Sequence, residues 1–144
     1  MYPAVFCIAT AALIACTGCG SFARSNDWKG AVNQQVNQLG YRNWIVVSEA
    51  SFPAHNRPGT RQINADAEVP EVVDYVLNAL ESTQHVRPQA YLTREMRAVE
   101  NNFAPVIDAM RERIRESLHG HEPTELDQQS LITLLESAHQ NYDV

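Results

Sequence analysis

The chain has 144 residues, of which 44% are hydrophobic and 19% charged, and its formal net charge at pH 7 is -6. That length and apolar fraction suit one globular domain with a real core and leave no room for two full domains. The acidic balance, with no Lys/Arg cluster outside one helix face, lacks the electrostatic footprint of a nucleic-acid binder, so DNA and RNA are set aside.

No charged residue precedes Arg24, and the stretch AVFCIATAALIAC ending at Cys16 is almost wholly apolar. It is short for a bilayer span but matches the apolar region of a secretory signal. Leu13-Ile14-Ala15-Cys16 is similar to the bacterial lipobox, which predicts Cys16 as the lipidated first residue of the mature chain, with Cys19 as the alternative. Met1, Tyr2 and Pro3 supply none of the positive charge that usually opens such a leader. A redox reading of Cys16-Thr17-Gly18-Cys19 needs a preceding strand and a following helix to lower a thiol pKa, and an apolar leader precedes it instead. No cysteine follows Cys19, so the folded body has neither a disulfide nor a thiolate metal site. Residues 1–23 are therefore expected to be leader and tether, and 24–144 the folded domain. The expected location is the bacterial cell envelope, exported and membrane-anchored.

Along the body, Trp28, Val32, Val36 and Leu39 recur at helical spacing, with Asn26 or Asp27 as N-cap and Gly40 as the stop. The run NWIVVSE, ending at Glu49, reads as a buried strand with a polar tip. The loop from Ala50 to Arg61 holds Arg57-Pro58-Gly59-Thr60, the chemistry of a type II turn. RQINA predicts a short strand, and Pro70 opens a helix with Val73, Val76, Leu77 and Leu80 on one face. VRPQAYL reads as a second main strand. A helix begins near Pro105, turning Ile107, Met110, Ile114 and Leu118 inward while Arg111, Glu112, Arg113, Arg115 and Glu116 form a solvated face. After Gly120, Thr124 or Asp127 caps a last helix carrying Leu131, Leu134, Leu135 and Ala138. Asn141 to Val144 reads as the start of another strand. Strands alternating with helices predict an α/β fold with a mostly parallel sheet covered by helices.

Ligands in such a sheet sit beyond the carboxyl ends of the strands, which directs attention to Glu49 and the loop after it. Glu49 can act as a general base or bind adjacent hydroxyls of a polyol; the alternative is a solvated strand-end acid. His55 lies in the same loop, and Asp66 follows the second expected strand, where it serves either the crevice or a helix cap, with Arg61 as its pairing partner. Tyr41 offers a hydroxyl and a ring that stacks on a sugar's C–H face. His119-Gly120-His121-Glu122 has metal-ligating residue types but no further ligand cluster in its neighbourhood, so it reads as an exposed linker and no metal is expected. A Gly-rich phosphate loop, a GxSxG elbow and an HExxH motif are all absent.

The residues QLGYRNWIVVSEASFPAH, followed by Ile63-Asn64-Ala65-Asp66, resemble the ribose pyranase and fucose mutarotase family (RbsD/FucU). Its N-terminal half runs helix, L-G-H, apolar strand, D-A-x-x-P and I-R-A-D. The order of elements agrees from Trp28 to Val144, while recognisable motifs cover only Leu39 to Asp66. The resemblance implies a compact α/β subunit that assembles into homo-oligomeric rings. It also implies interconversion of monosaccharide forms at the anomeric centre by acid–base ring opening, without cofactor. Carried over by position, Tyr41 stands where the family has histidine, Glu49 where it has aspartate, Asp66 on the aspartate of I-R-A-D, and Asn64 on its arginine. Phenol titrates near 10 and imidazole near 6.5, so Tyr41 is a proton donor and a poor base at neutral pH. The later family segment that supplies a tyrosine and an asparagine to the sugar has no counterpart here, so an RbsD/FucU-like domain lacking its C-terminal strands is expected. The resulting candidates are Tyr41, Glu49 and Asp66 for catalysis and His55 and Arg61 for substrate binding. A non-catalytic sugar-binding or assembly lipoprotein is the alternative reading.

Overall fold

The computed structural model describes residues 27–38, 43–52 and 58–139. In chain order the elements are α1 (Trp28–Val36), α2 (Val69–Glu81), β1 (Tyr91–Thr93), α3 (Glu95–Ala98), α4 (Ile107–Ser117), β2 (Thr124–Leu126) and α5 (Gln128–His139). The fold is mixed α/β, with helices around a two-stranded parallel sheet in which Tyr91, Leu92 and Thr93 pair with Thr124, Glu125 and Leu126. Each strand's ladder is extended by one flanking bond: Thr124 donates to the Ala90 carbonyl and Arg94 to that of Leu126.

The organising element is α2. Its apolar residues form two adjacent stripes, each built on the four-residue repeat that stacks side chains one helical turn apart. Val72, Val76 and Ala79 pack with Trp28, Val32 and Val36 of α1. Val73 and Leu77, one position further round, pack with Leu118 at the end of α4. Pro70 opens α2, where its missing N–H costs nothing because the first helical amides have no partner within the helix. Asp27 caps α1 by accepting from the Gly30 amide at 2.9 Å. The α1–α2 seam is finished by the Trp28 ring meeting Tyr75 edge-on at 5.1 Å and by Asn33 Nδ2 donating to the Tyr75 hydroxyl at 2.8 Å.

Several expectations are corrected. Asn43–Val47 is not a regular strand; it has no regular secondary structure, and Ser48 after it forms an isolated bridge. It packs only in part: Trp44 meets Tyr91 at 5.3 Å and Val47 joins both apolar clusters, while Ile45 is 38% exposed. The stretch 61–65 is likewise irregular, and of the expected strand VRPQAYL only its last two residues, with Thr93, are paired. Thr124 does not cap α5 but begins β2; Asp127 caps it, accepting from the Ser130 amide at 2.9 Å. On α4, Ile114 and Leu118 are buried, whereas Ile107 and Met110 are half-buried. Arg111 does not belong to a solvated face. Its guanidinium turns back to donate to the carbonyls of Met96, Arg97 and Val99, satisfying the open carboxyl end of α3. The stop at Gly40, the leader and the expected strand at Asn141–Val144 lie outside the described residues.

Candidate functional site

The apolar segment ends at Ser48, which is 1% exposed, and the chain then emerges as Glu49 with an exposed side chain. A turn follows at once, the Phe52 amide donating to the Glu49 carbonyl at 3.0 Å. Trp44, earlier in this segment, packs against Tyr91, the first residue of β1, at 5.3 Å. At the other end of β1, Thr93 is 2% exposed, and its Oγ1 is buried without a hydrogen-bond partner among the described residues. A buried hydroxyl left unpaired costs on the order of 1–3 kcal/mol.

Asp66 and Arg61 are both exposed. The expected Arg61–Asp66 pairing is replaced by a long contact from Arg61 Nη1 to Gln38 Oε1 at 3.4 Å. Gly59 has φ of 90°, the left-handed conformation that the Pro-Gly turn predicts, so this part of the loop is set as expected. Tyr41, His55, Cys16 and Cys19 lie outside the described residues.

A second polar constellation was not anticipated. His119 and His121 follow α4, and both reach the outer face of α2. His119 Nε2 lies 2.9 Å from Asp74 Oδ1 and its Nδ1 lies 3.3 Å from Glu81 Oε2. His121 Nε2 lies 2.8 Å from Glu81 Oε1. Asp74 and Glu81 are two turns apart on one side of α2, and helical side chains lean toward the amino end, so Glu81 reaches back to meet the imidazole that Asp74 holds from the other side. The hydrogen bond to Asp74 is the main reason the His119 pKa is raised above its ordinary value; partial burial opposes it, and Glu81 adds to it. Conversely, the bond from His121 leads the causes that lower Glu81. The stretch is largely exposed, as expected of a linker, but the side chains of His119 and His121, 22% and 32% exposed, are engaged with the α2 carboxylates. Among the described residues no group of three or more His, Cys, Asp or Glu side chains is arranged to hold a metal ion.

No family model, no curated protein and no solved structure matches this chain. Among the described residues no helix is long and apolar enough to cross a membrane.

Glu49 follows a partly buried segment and has an exposed side chain. What sequence reasoning missed was Thr93, whose burial depends on packing from elsewhere, and the facing of Asp74 and Glu81 with His119 and His121 across 38 to 45 positions. The available signal was that Asp74 and Glu81, two of the three acids of α2, stand seven residues apart on one side of that helix, and that the chain has one His-x-His.

Proposed function

We propose that the chain is an envelope-anchored relative of the sugar-form isomerases, with an RbsD/FucU-like domain and Glu49 as its acid–base group. The supporting observation is the exit of the chain from full burial at Ser48 to an exposed carboxylate at Glu49. Polar groups beyond the carboxyl ends of a parallel sheet are where open α/β folds place their ligands. Ring opening at an anomeric carbon requires only the removal of a proton from a hydroxyl and the return of one to the ring oxygen, which positioned acid–base groups accomplish without a cofactor. Asp66 and Tyr41 complete the proposed catalytic set, with His55 and Arg61 toward the substrate hydroxyls and Cys16, or else Cys19, as the lipid anchor.

Two-dimensional exchange NMR on a panel of free monosaccharides tests this. Acceleration over buffer that falls roughly a hundredfold or more in Glu49→Gln is expected. No acceleration for any sugar removes the isomerase. A second reading, a non-catalytic sugar-binding or assembly lipoprotein, is favoured by the exposure of Glu49, Asp66 and Arg61, since catalytic electrostatics gain their strength from excluding water. It predicts sugar-dependent thermal stabilisation, or ring assembly, without turnover.

A further inference from the structure

The turn that follows α4 is unusual in its backbone as well as its side chains. His119 has φ of 51° and Gly120 of 82°, two successive left-handed residues, and only the second is a glycine. A non-glycine residue in this region costs about 1 kcal/mol or more, so something must hold His119 there. The turn leads through His121 directly into β2, the only partner of β1 in its sheet among the described residues.

The imidazole of His119 faces a carboxylate at each nitrogen. A neutral imidazole has one N–H, so in that form one ring nitrogen turns a lone pair toward a carboxylate oxygen; the imidazolium donates to both. We propose that His119, bracketed by Asp74 and Glu81, is a proton-held latch that fastens the α4–β2 turn to α2 and so keeps β2 seated against β1. The charged groups it contacts are both on α2: Asp74, steadied by the Asn78 side-chain amide at 3.1 Å, and Glu81, which also meets His121. Arg115, Glu116 and Glu122 are its charged neighbours along the chain. Arg115 is paired with Glu112, and Arg113 bridges to Glu68 just before α2, so neither competes for the latch carboxylates.

The sign follows from the bracketing. The folded state favours imidazolium, so the contribution is complete below the unfolded value of about 6.5 and is lost as pH rises through the higher folded value. The latch closes in mild acid and loosens on the alkaline side. Loosening removes one tether from a three-residue strand otherwise held by its pairing with β1 and by the Arg97–Glu125 ion pair, so β2 opens from the β1 edge more often.

The test combines imidazole titration by NMR with amide hydrogen exchange on the full chain, corrected for the intrinsic base-catalysed rate. His119 is expected to titrate above 6.5, and protection of the Thr124 amide, which bonds to the Ala90 carbonyl, is expected to fall roughly three- to tenfold across that titration. In Asp74→Asn/Glu81→Gln both the high titration and the pH-dependent loss disappear; the single Glu81→Gln variant serves if the double variant is unfolded, with a smaller loss. The proposal is overturned if His119 titrates at or below its ordinary value, or if Thr124 protection stays flat through the titration. It is also overturned if EDTA at constant pH produces the same loss, because a metal ion then holds the turn.

Discussion

The claim that α2 organises the molecule through two separate stripes is tested most directly at Leu77. This side chain is 6% exposed and packs with Val73 and Leu118, while the other stripe, toward α1, does not include it. Leu77→Ala removes three carbon atoms, worth about 2.4 kcal/mol at roughly 0.8 kcal/mol per buried methylene. A cavity term adds to this, since cores relax only in part. Here relaxation is favoured because Val47, Val69, Ala90 and Leu92 around the site are only partly buried and can settle inward. The expected cost is therefore about 3 kcal/mol, near the low end of the range for such substitutions. For a chain of this size that lowers Tm by about 10–15 °C. Urea denaturation with an unchanged m value, supported by a thermal melt, measures it. Phe103→Ala is the control: Phe103 is 77% exposed, and its truncation should stay within about 0.5 kcal/mol. A Leu77→Ala cost below about 1 kcal/mol, or a Phe103→Ala cost equal to it, refutes the assignment of the α2–α4 seam as core.

At the start of α1, a Cβ on Gly30 would collide with the Asp27 carboxylate that caps the helix, so Gly30→Ala should gain its usual ~1 kcal/mol of helix propensity only in an Asp27→Ala background, and close to nothing in the native one; a double-mutant cycle in urea reads the difference. Arg111→Lys should destabilise by about 1–3 kcal/mol, because an ammonium cannot reproduce the guanidinium fork over the Met96, Arg97 and Val99 carbonyls, and an equally stable variant would show that those carbonyls are satisfied otherwise. The bonds from Ser130, side chain first and backbone second, hold Asp127 below its ordinary pKa. Its contribution is thus present above an unfolded value of about 3.9 and lost as pH falls through the folded one, so the Tm advantage of the native chain over Asp127→Asn should shrink in acid; a gap constant with pH would contradict it.

Helices were legible in the sequence to the extent that their signals are local. Pro70 at the head of α2, Asp27 and Asp127 as caps, and the spacing of Val73, Val76, Leu77, Ile114, Leu131 and Leu135 each depend on residues within a few positions, and each was realised. Strands failed for the complementary reason. The β-branched run of Ile45, Val46 and Val47 is buried only in part, Val47 joining both clusters while Ile45 is 38% exposed, and a strand exists only where a second backbone supplies its ladder, a partner that no local pattern reports. The converse case is β2: Thr124-Glu125-Leu126 has little strand character of its own and is a strand because β1 lies beside it. Arg111 shows the same limit for charge. Its place among acids and arginines marks a solvated face, yet the open carbonyl end of α3 supplies it with better acceptors than water. The two candidate sites divide along this line as well. Glu49 can be proposed from the sequence because an apolar run ending in a carboxylate is written in consecutive residues. The His119 latch could not, because its chemistry arises only when α2 and the end of α4 are packed together, and what packs them is the apolar stripe of Val73, Leu77 and Leu118 rather than any of the four polar residues.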